Sequence, residues 1–337
     1  MKKIFSVIVG LIIIILSTVI YQANKLDYNK VVLVLPSSNR ASSVYFYKKD
    51  GDFFLAQDLG LGLEKLGYTV EYRFREDFDN MNLKDAGNII YFKGYYNFAS
   101  LPQDNVKKRK KVLYIYYVEG LNENTLKEAD VIASASKKFL NNYILNKGYK
   151  GQYVPQFTNP ERFKNSTDPI PNLADVLFVG SNHTGKSRKS VDYAINANAN
   201  LDVYGKYWNG YIPQSYIKGN YIENNNLSQY YANAKIVLND HREDMQHFGF
   251  ISNRIYDVSA SGGFVFTDYL EEIEEIYGDS IAMFKTQEEF TQKLQYYLAN
   301  EAIRKEMSKK AQKITLENFT NIKIAQKFSN ILKNIKK

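Results

Sequence analysis

The 337-residue chain contains no cysteine. Disulfides, thiolate zinc sites and a cysteine nucleophile are thereby excluded. Histidine is nearly absent too: His183, His241 and His247 stand far from any H-E-x-x-H arrangement, which argues against a zinc hydrolase. There is no low-complexity tract, and no internal repeat beyond two similar halves. What is present is ordinary for a globular protein: 45% hydrophobic and 24% charged residues, enough for two domains with real cores. The net charge of +8 suits anionic partners such as nucleotide diphosphates, lipid phosphates or a membrane surface. Nucleic acid is disfavoured, because the lysines are scattered. The one dense run, Lys107–Lys111 with Arg109, lies between strand-like segments and reads as a solvated turn.

Ile4–Ile20 is an uncharged, mostly apolar run after Lys2 and Lys3. It reaches the lower limit of about 17 residues for a membrane-spanning helix. A cleaved signal peptide is the rival reading, and Tyr21-Gln22-Ala23 makes a poor cleavage site. The expectation is therefore a membrane anchor over residues 1–26. Lys25 and Lys30 balance Lys2 and Lys3, so charge does not set its orientation.

The rest has a β-α-β rhythm. Val31–Leu35, Tyr68–Phe74, Asn88–Phe92, Lys111–Val118 and Ala129–Ala133 read as strands, with helices over Phe53–Leu66 and Ser134–Leu145. Val154–Phe163, with Pro155 and Pro160, reads as a connection. The rhythm then restarts, with strands at Val176–Val179, Leu201–Tyr204, Ala234–Leu238, Phe264–Thr267 and Ile281–Phe284. Helices are expected over Arg188–Ala197, Leu227–Ala232, Glu271–Tyr277, Glu288–Asn300, Glu301–Phe319 and Ile322–Ile335. The fold class is α/β, with two doubly wound Rossmann-like domains after an N-terminal transmembrane helix. Boundaries are expected at 27–158 (acceptor side), 159–320 (donor side) and 321–337 (a last helix returning to the first domain).

The most informative stretch is Gly249–Asp268. Asn253, Arg254 and Asp257 run on helical spacing into Ala260, Gly262, Gly263 and Phe264. A helix N-terminus beside a strand's carboxyl end favours anions, because free N–H groups and the helix dipole point at them. The spacing of Arg254 and Asp257 puts a guanidinium and a carboxylate on one helix face. This stretch resembles the nucleotide-binding signature of retaining GT-B glycosyltransferases of the group 1 and family 4 type, and within them the CgeB-like spore maturation branch. The acidic position is Asp257 rather than the usual Glu, and the Glu usual eight residues earlier is Gly249.

The resemblance implies a hexosyltransferase-like enzyme. It would move a sugar from a nucleotide-diphosphate-sugar donor to a glycan or glycolipid, with retention and without a metal or other cofactor. Arg254 would neutralise the leaving phosphate, Asp257 would bind the ribose and Asn253 would support one of them. Gly180 and Ser181 would let backbone approach a phosphate, and Arg188 and Lys206 would reach the diphosphate. Asn239 and His241 would face the cleft from a strand end, with Gly262 and Gly263 closing the donor motif. Glu119 would orient or deprotonate the acceptor hydroxyl, with Asn39 and Arg40 on the acceptor side. Asp77-Phe78-Asp79 matches a D-x-D pattern but reads as a turn, so no metal site is expected. The donor requirement places the catalytic domains on the cytoplasmic face of a membrane. Two alternatives stay open: a non-catalytic sugar- or nucleotide-binding protein on this fold, and an exported two-lobed solute-binding protein.

Overall fold

The computed structural model describes residues 26–43, 46–81, 83, 85–94, 101, 108–182 and 188–336. The apolar run Ile4–Ile20 lies outside them, as do His183 and Lys107. Among the described residues no helix is long and apolar enough to cross a membrane.

Two six-stranded parallel sheets form the frame. The first contains β1 (Asp27–Val34), β2 (Thr69–Arg73), β3 (Ala86–Lys93), β4 (Lys110–Ile115), β5 (Val131–Ser134) and β6 (Gly151–Tyr153), in the order β2-β1-β3-β4-β5-β6. The second contains β7 (Val176–Val179), β8 (Leu201–Tyr204), β9 (Ile217–Gly219), β10 (Ile236–Asn239), β11 (Val265–Asp268) and β12 (Ala282–Phe284), in the order β12-β11-β10-β7-β8-β9. Helices cover both faces of a parallel sheet, so its strands read as continuous apolar runs. Val31 to Leu35 and Ile236 to Leu238 are wholly buried for this reason. In the second sheet the winding reverses between β7 and β10, which opens a crevice at their carboxyl ends.

The helices are α1 (Gly51–Lys65), α2 (Glu123–Glu128), α3 (Lys137–Phe139), α4 (Lys189–Asn196), α5 (Leu227–Asn233), α6 (Glu243–Phe248), α7 (Asn253–Ala260), α8 (Glu271–Tyr277), α9 (Gln287–Ala299), α10 (Glu301–Asn318) and α11 (Asn321–Asn334). The last one crosses over: Ile324, Phe328 and Leu332 belong to the core of the first sheet. Phe250, just beyond α6, enters the same core, so the halves share apolar packing at the base of the cleft.

Several sequence expectations need correcting. The strand expected over Lys111–Val118 stops at Ile115, and Tyr116 and Tyr117 leave the sheet to line the cleft. The helix expected over Ser134–Leu145 starts at Lys137, because Ser136 caps it through Phe139 N at 3.0 Å, and it widens into a π turn over Leu140–Leu145. Arg109 is no part of a solvated turn. Its guanidinium is buried and donates to the carbonyls of Leu83 and Ala86 at 3.1 and 2.8 Å. Gly249 closes α6 in the left-handed region at φ +72, where a Cβ would strike the Glu272 carboxylate. That backbone explains why no Glu stands there.

Candidate active site

The carboxyl ends of the two sheets face each other across the cleft, and two adjoining cavities lie between them. The smaller, of about 500 Å³, has Asp50, Asp52 and Tyr116 on its first-half wall and Gly180, Ser181, Lys206 and Asn253 on the other. The larger, of about 1020 Å³, has Glu119 and Tyr143 on one side and Arg188 and Asp240 on the other. Tyr117 and Arg242 line both. Each volume falls in or near the range of small-molecule sites.

Arg254 lines neither cavity; it stands behind the second-half wall, against Gly180. It lies in the first turn of α7, and its Nη1 donates to Asn239 Oδ1 at 2.7 Å. The guanidinium lies 5.1 Å from the centre of the Phe178 ring, with the Tyr231 phenol beside it. Among the described residues no carboxylate comes within ion-pair distance of it. Burial lowers its pKa, and the nearby Arg188 charge acts in the same direction. An enclosed cation without an anion is costly to maintain and is well suited to receive one.

Backbone packing makes this placement possible. Nη2 of Arg254 stands 2.7 Å from the point that a Cβ on Gly180 would occupy. Gly205 has φ +153, and its own Cβ would lie 2.1 Å from Gly180 O. The turns after β7 and β8 are therefore nested, and Trp208 Nε1 locks them by donating to Gly180 O at 2.8 Å. Ser181 Oγ accepts from Lys206 N at 3.1 Å, which sets the Lys206 backbone on the cavity wall. Asn253 points its Nδ2 inward to Asp257, while its buried Oδ1 has no protein partner.

The structure brings Gly180, Ser181, Lys206, Asn253 and Arg254 together but separates the other candidates. Arg188 faces the larger cavity and is spent on Asp240, with Nε to Oδ1 at 2.6 Å and Nη2 to the carbonyl at 2.8 Å. Asn239 is 1% exposed and fully engaged between Arg254 and Thr267, so it positions the guanidinium rather than facing the cleft. His241 lines the larger cavity. Its Nδ1 bonds Asp268 at 2.7 Å and its Nε2 accepts from Ser252 N at 3.0 Å. The ring bridges the end of β11 to the start of α7.

Asp257 turns away from both cavities. Its two oxygens accept from Thr158 Oγ1 and Asn253 Nδ2, both at 2.8 Å, and desolvation pushes its carboxyl up to about 7. Gly262 and Gly263 lie past the far end of α7. At 1.5 Å rise per residue the helix from Asn253 to Ala260 alone carries the chain about 10 Å away from Asn253 before they begin. Gly263 packs against the Tyr231 carbonyl and Gly262 against Asn165, so they serve helix–strand packing rather than the cleft. Glu119 lies on the larger cavity, accepts from Tyr117 Oη at 2.9 Å, and stands 3.7 Å from Arg242 Nη1. Asp77 Oδ2 accepts from Phe74 N at 2.8 Å, the local capping contact of a turn. Asn39 N and Ser38 Oγ bond Glu76 on the first half, outside both cavities.

Sequence reasoning missed the first-half wall. Asp50, Asp52, Lys93 and Tyr116 converge there from three separate segments. The available signals were an Asp two residues before a second Asp at a helix start, and a lysine ending the apolar run Ile89–Phe92.

Two facing doubly wound sheets with a shared cleft and a returning last helix define the GT-B fold. Residues 188–330 match the family model described as Glycosyl transferase-like. No curated protein matches the chain in sequence. Among solved structures the chain is similar to sucrose-phosphate synthase from Thermosynechococcus elongatus, at 12% identity and TM-score 0.67, covering 90% of this chain and 98% of that one. It is similar to Anabaena HepE in complex with UDP and glucose, at 11% identity and TM-score 0.61, covering 91% and 100%. It is also similar to T4 phage BGT in complex with UDP-glucose, at 14% identity and TM-score 0.58, covering 91% and 100%. At these identities the likeness is one of fold.

Proposed function

We propose that this protein is a glycosyltransferase that takes a sugar from a nucleoside-diphosphate sugar and passes it to a hydroxyl of a glycan or glycolipid. The observation that carries this reading is Arg254: a guanidinium with no carboxylate partner among the described residues, held directly behind Gly180, which lines the smaller cavity. A diphosphate seated over Gly180 and Ser181 would meet that charge, the Lys206 ammonium and the N-terminus of α7. These groups stabilise the charge that grows on the leaving diphosphate, so the chemistry needs no metal ion. The Glycosyl transferase-like match over residues 188–330 and the UDP-bound structures of the same fold support the assignment.

Asp257, one helical turn beyond Arg254, would reach a ribose only by giving up Thr158, so its part in this proposal is to hold the linker. Membership of the CgeB-like branch rests on the sequence resemblance. Attachment through residues 1–26 and a cytoplasmic active site belong to the same proposal, because that segment is apolar and the donors are made in the cytoplasm.

The test is a melting-temperature screen with UDP, GDP, UDP-glucose, UDP-N-acetylglucosamine and GDP-mannose, since a ligand that binds only the native state raises its stability. A shift in the wild type that vanishes in Arg254→Ala supports the proposal. A chain whose melting none of these raises is not a nucleotide-sugar enzyme.

A further inference from the structure

The end of the chain carries a charge that the two cavities do not use. Residues 301–337 hold ten Lys and Arg against three Glu, a net +7 of the chain's +8. All three acids, Glu301, Glu306 and Glu317, stand on α10, where they pair with Lys305, Lys310 and Lys313 at 2.6, 2.9 and 4.0 Å. The last helix, α11, has no acid at all. Its inner face, with Ile324, Phe328 and Leu332, packs into the first core. Its outward face shows Ile322, Lys323, Gln326, Lys327, Asn330 and Lys333, all exposed. None of these lysines has an ion pair among the described residues.

Helix stability does not account for this stripe. Lys323 lies in the first turn, where a cation opposes the helix dipole, and one turn from Lys327, where like charges repel. Locally unfavourable charges held on an exposed face point to an anion outside the chain.

The stripe also leads to where the chain enters the fold. Lys110 Nζ donates to Leu332 O, in the last turn of α11, at 2.6 Å and stands 5.0 Å from the centre of the Tyr28 ring. Lys110 and Tyr28 begin β4 and β1, at the amino edge of the first sheet and away from the cleft. Tyr28 is exposed, and the apolar run Ile4–Ile20 precedes it. A groove between this turn and β6 adds Lys150 and Lys336, with Asp130 Oδ2 engaged by Lys111 N at 2.7 Å. On the other side Gly62 of α1 packs against the Asn321 carbonyl, and there Leu61 and Ile322 are exposed at 39% and 41%. Glu64 is the one acid that α1 exposes.

We propose that the outward face of α11 rests on an anionic lipid surface, beside the point at which the apolar run enters the same bilayer. This rests on the attachment proposed for residues 1–26 and is independent of the glycosyltransferase reading. The apolar run would attach the chain without fixing how the fold faces the bilayer, and the lysines supply the second contact that does. Because α11 belongs to the first core, the first half is held and the second stays free to close the cleft.

The experiment mixes the full chain with vesicles of phosphatidylcholine alone, or of phosphatidylcholine with about 30% phosphatidylglycerol. Flotation reads attachment. Brief acetylation with an amine-reactive ester, read by peptide mass spectrometry, reports on each lysine. A lysine held at an anionic surface strengthens binding by about fivefold. Lys323, Lys327 and Lys333 are therefore expected to react at least about fivefold more slowly on the mixed vesicles, with Lys305 reacting equally on both. Salt at about 0.5 M should restore the rate. Flotation on both vesicles with equal labelling of the three lysines overturns the proposal and leaves the attachment standing. Flotation on the mixed vesicles alone, with slowed labelling, supports the lysine contact and removes the apolar run from it. Protection by duplex DNA but not by vesicles gives the stripe to another polyanion and overturns the proposal. Flotation on neither vesicle removes contact and attachment together.

Discussion

The Arg254 guanidinium occupies the space that any side chain at position 180 would need, with Nη2 2.7 Å from the site of a Cβ on Gly180. Gly180→Ala should therefore act through Arg254. The new methyl also meets the Phe178 ring at 3.1 Å, so overpacking costs about 1–3 kcal/mol of stability. The expected outcome is a folded protein with a modestly lower melting temperature and no UDP-induced shift. Calorimetric titration with UDP checks it.

Arg254→Ala removes the charge, and Arg254→Lys keeps it while losing the fork that spans Asn239 and the Phe178 face. A hydrogen bond to a charged group contributes about 1.5–3 kcal/mol, which is about 10- to 100-fold in affinity. UDP affinity should fall by that factor in Arg254→Ala, and the Lys variant should recover only part of it. Titrations at two salt concentrations separate the charge from the geometry.

Glu119→Gln tests the carboxylate that the resemblance places beside the acceptor. Its side chain is 58% exposed at 3.7 Å from Arg242, so the pair is worth less than about 1 kcal/mol. Sugar release should stay within a few-fold of wild type. A loss of about 100-fold or more would make Glu119 the base.

His241→Ala should cost stability before chemistry. It leaves the buried Asp268 without its ring partner and the Ser252 N–H without its acceptor. Asp268 keeps its bonds from His241 N, Gln246 and Thr267, so the cost is about 1–3 kcal/mol, mainly from the orphaned Ser252 N–H. The melting temperature should drop, and any loss of UDP binding should track the loosened start of α7. Chemical denaturation and UDP titration of the same variant check both.

Stability should decline as pH rises through neutrality. Desolvation raises the carboxyls of both Asp52 and Asp257 from 3.8 to about 7. A group whose folded pKa lies above its unfolded value holds its proton more tightly when folded. Its stabilising effect is complete below about pH 4 and lost as pH climbs through about 7. Lys93, lowered from 10.5 to about 8, stays mostly charged over that window and begins to oppose the decline only above about pH 7. The melting temperature should fall from about pH 5.5 to about pH 7.5, and Asp257→Asn should flatten the decline. A wild-type profile that rises over this interval contradicts the assignment.

The fold was legible where strands are buried on both faces. Val31–Leu35 and Phe264–Thr267 are apolar runs whose burial needs no tertiary detail. Short edge strands were not: Gly151–Tyr153 and Ile217–Gly219 have three residues each, too few to show an apolar pattern. The helix Glu243–Phe248 was also missed, since it has no apolar periodicity and no buried residue. In the site, the turn after β7 and the start of α7 were readable because each is one contiguous motif. The division between two cavities was not, because it depends on where residues remote in sequence meet. Asp257 shows the limit: its spacing from Arg254 is helical as expected, yet Thr158, 99 positions away, draws its carboxylate out of the cleft.

The two chain crossings between halves are bonded to each other, Thr158 N to Phe319 O at 2.9 Å and Asn321 N to Thr158 O at 2.8 Å. Beyond them the closing helix supplies Ile324, Phe328 and Leu332 to a core that otherwise consists almost entirely of residues before 160. The part of the protein made first on the ribosome therefore waits for the part made last. A fragment truncated near residue 160 would emerge with a bare apolar face, and adding a peptide of residues 319–336 in trans should restore its solubility.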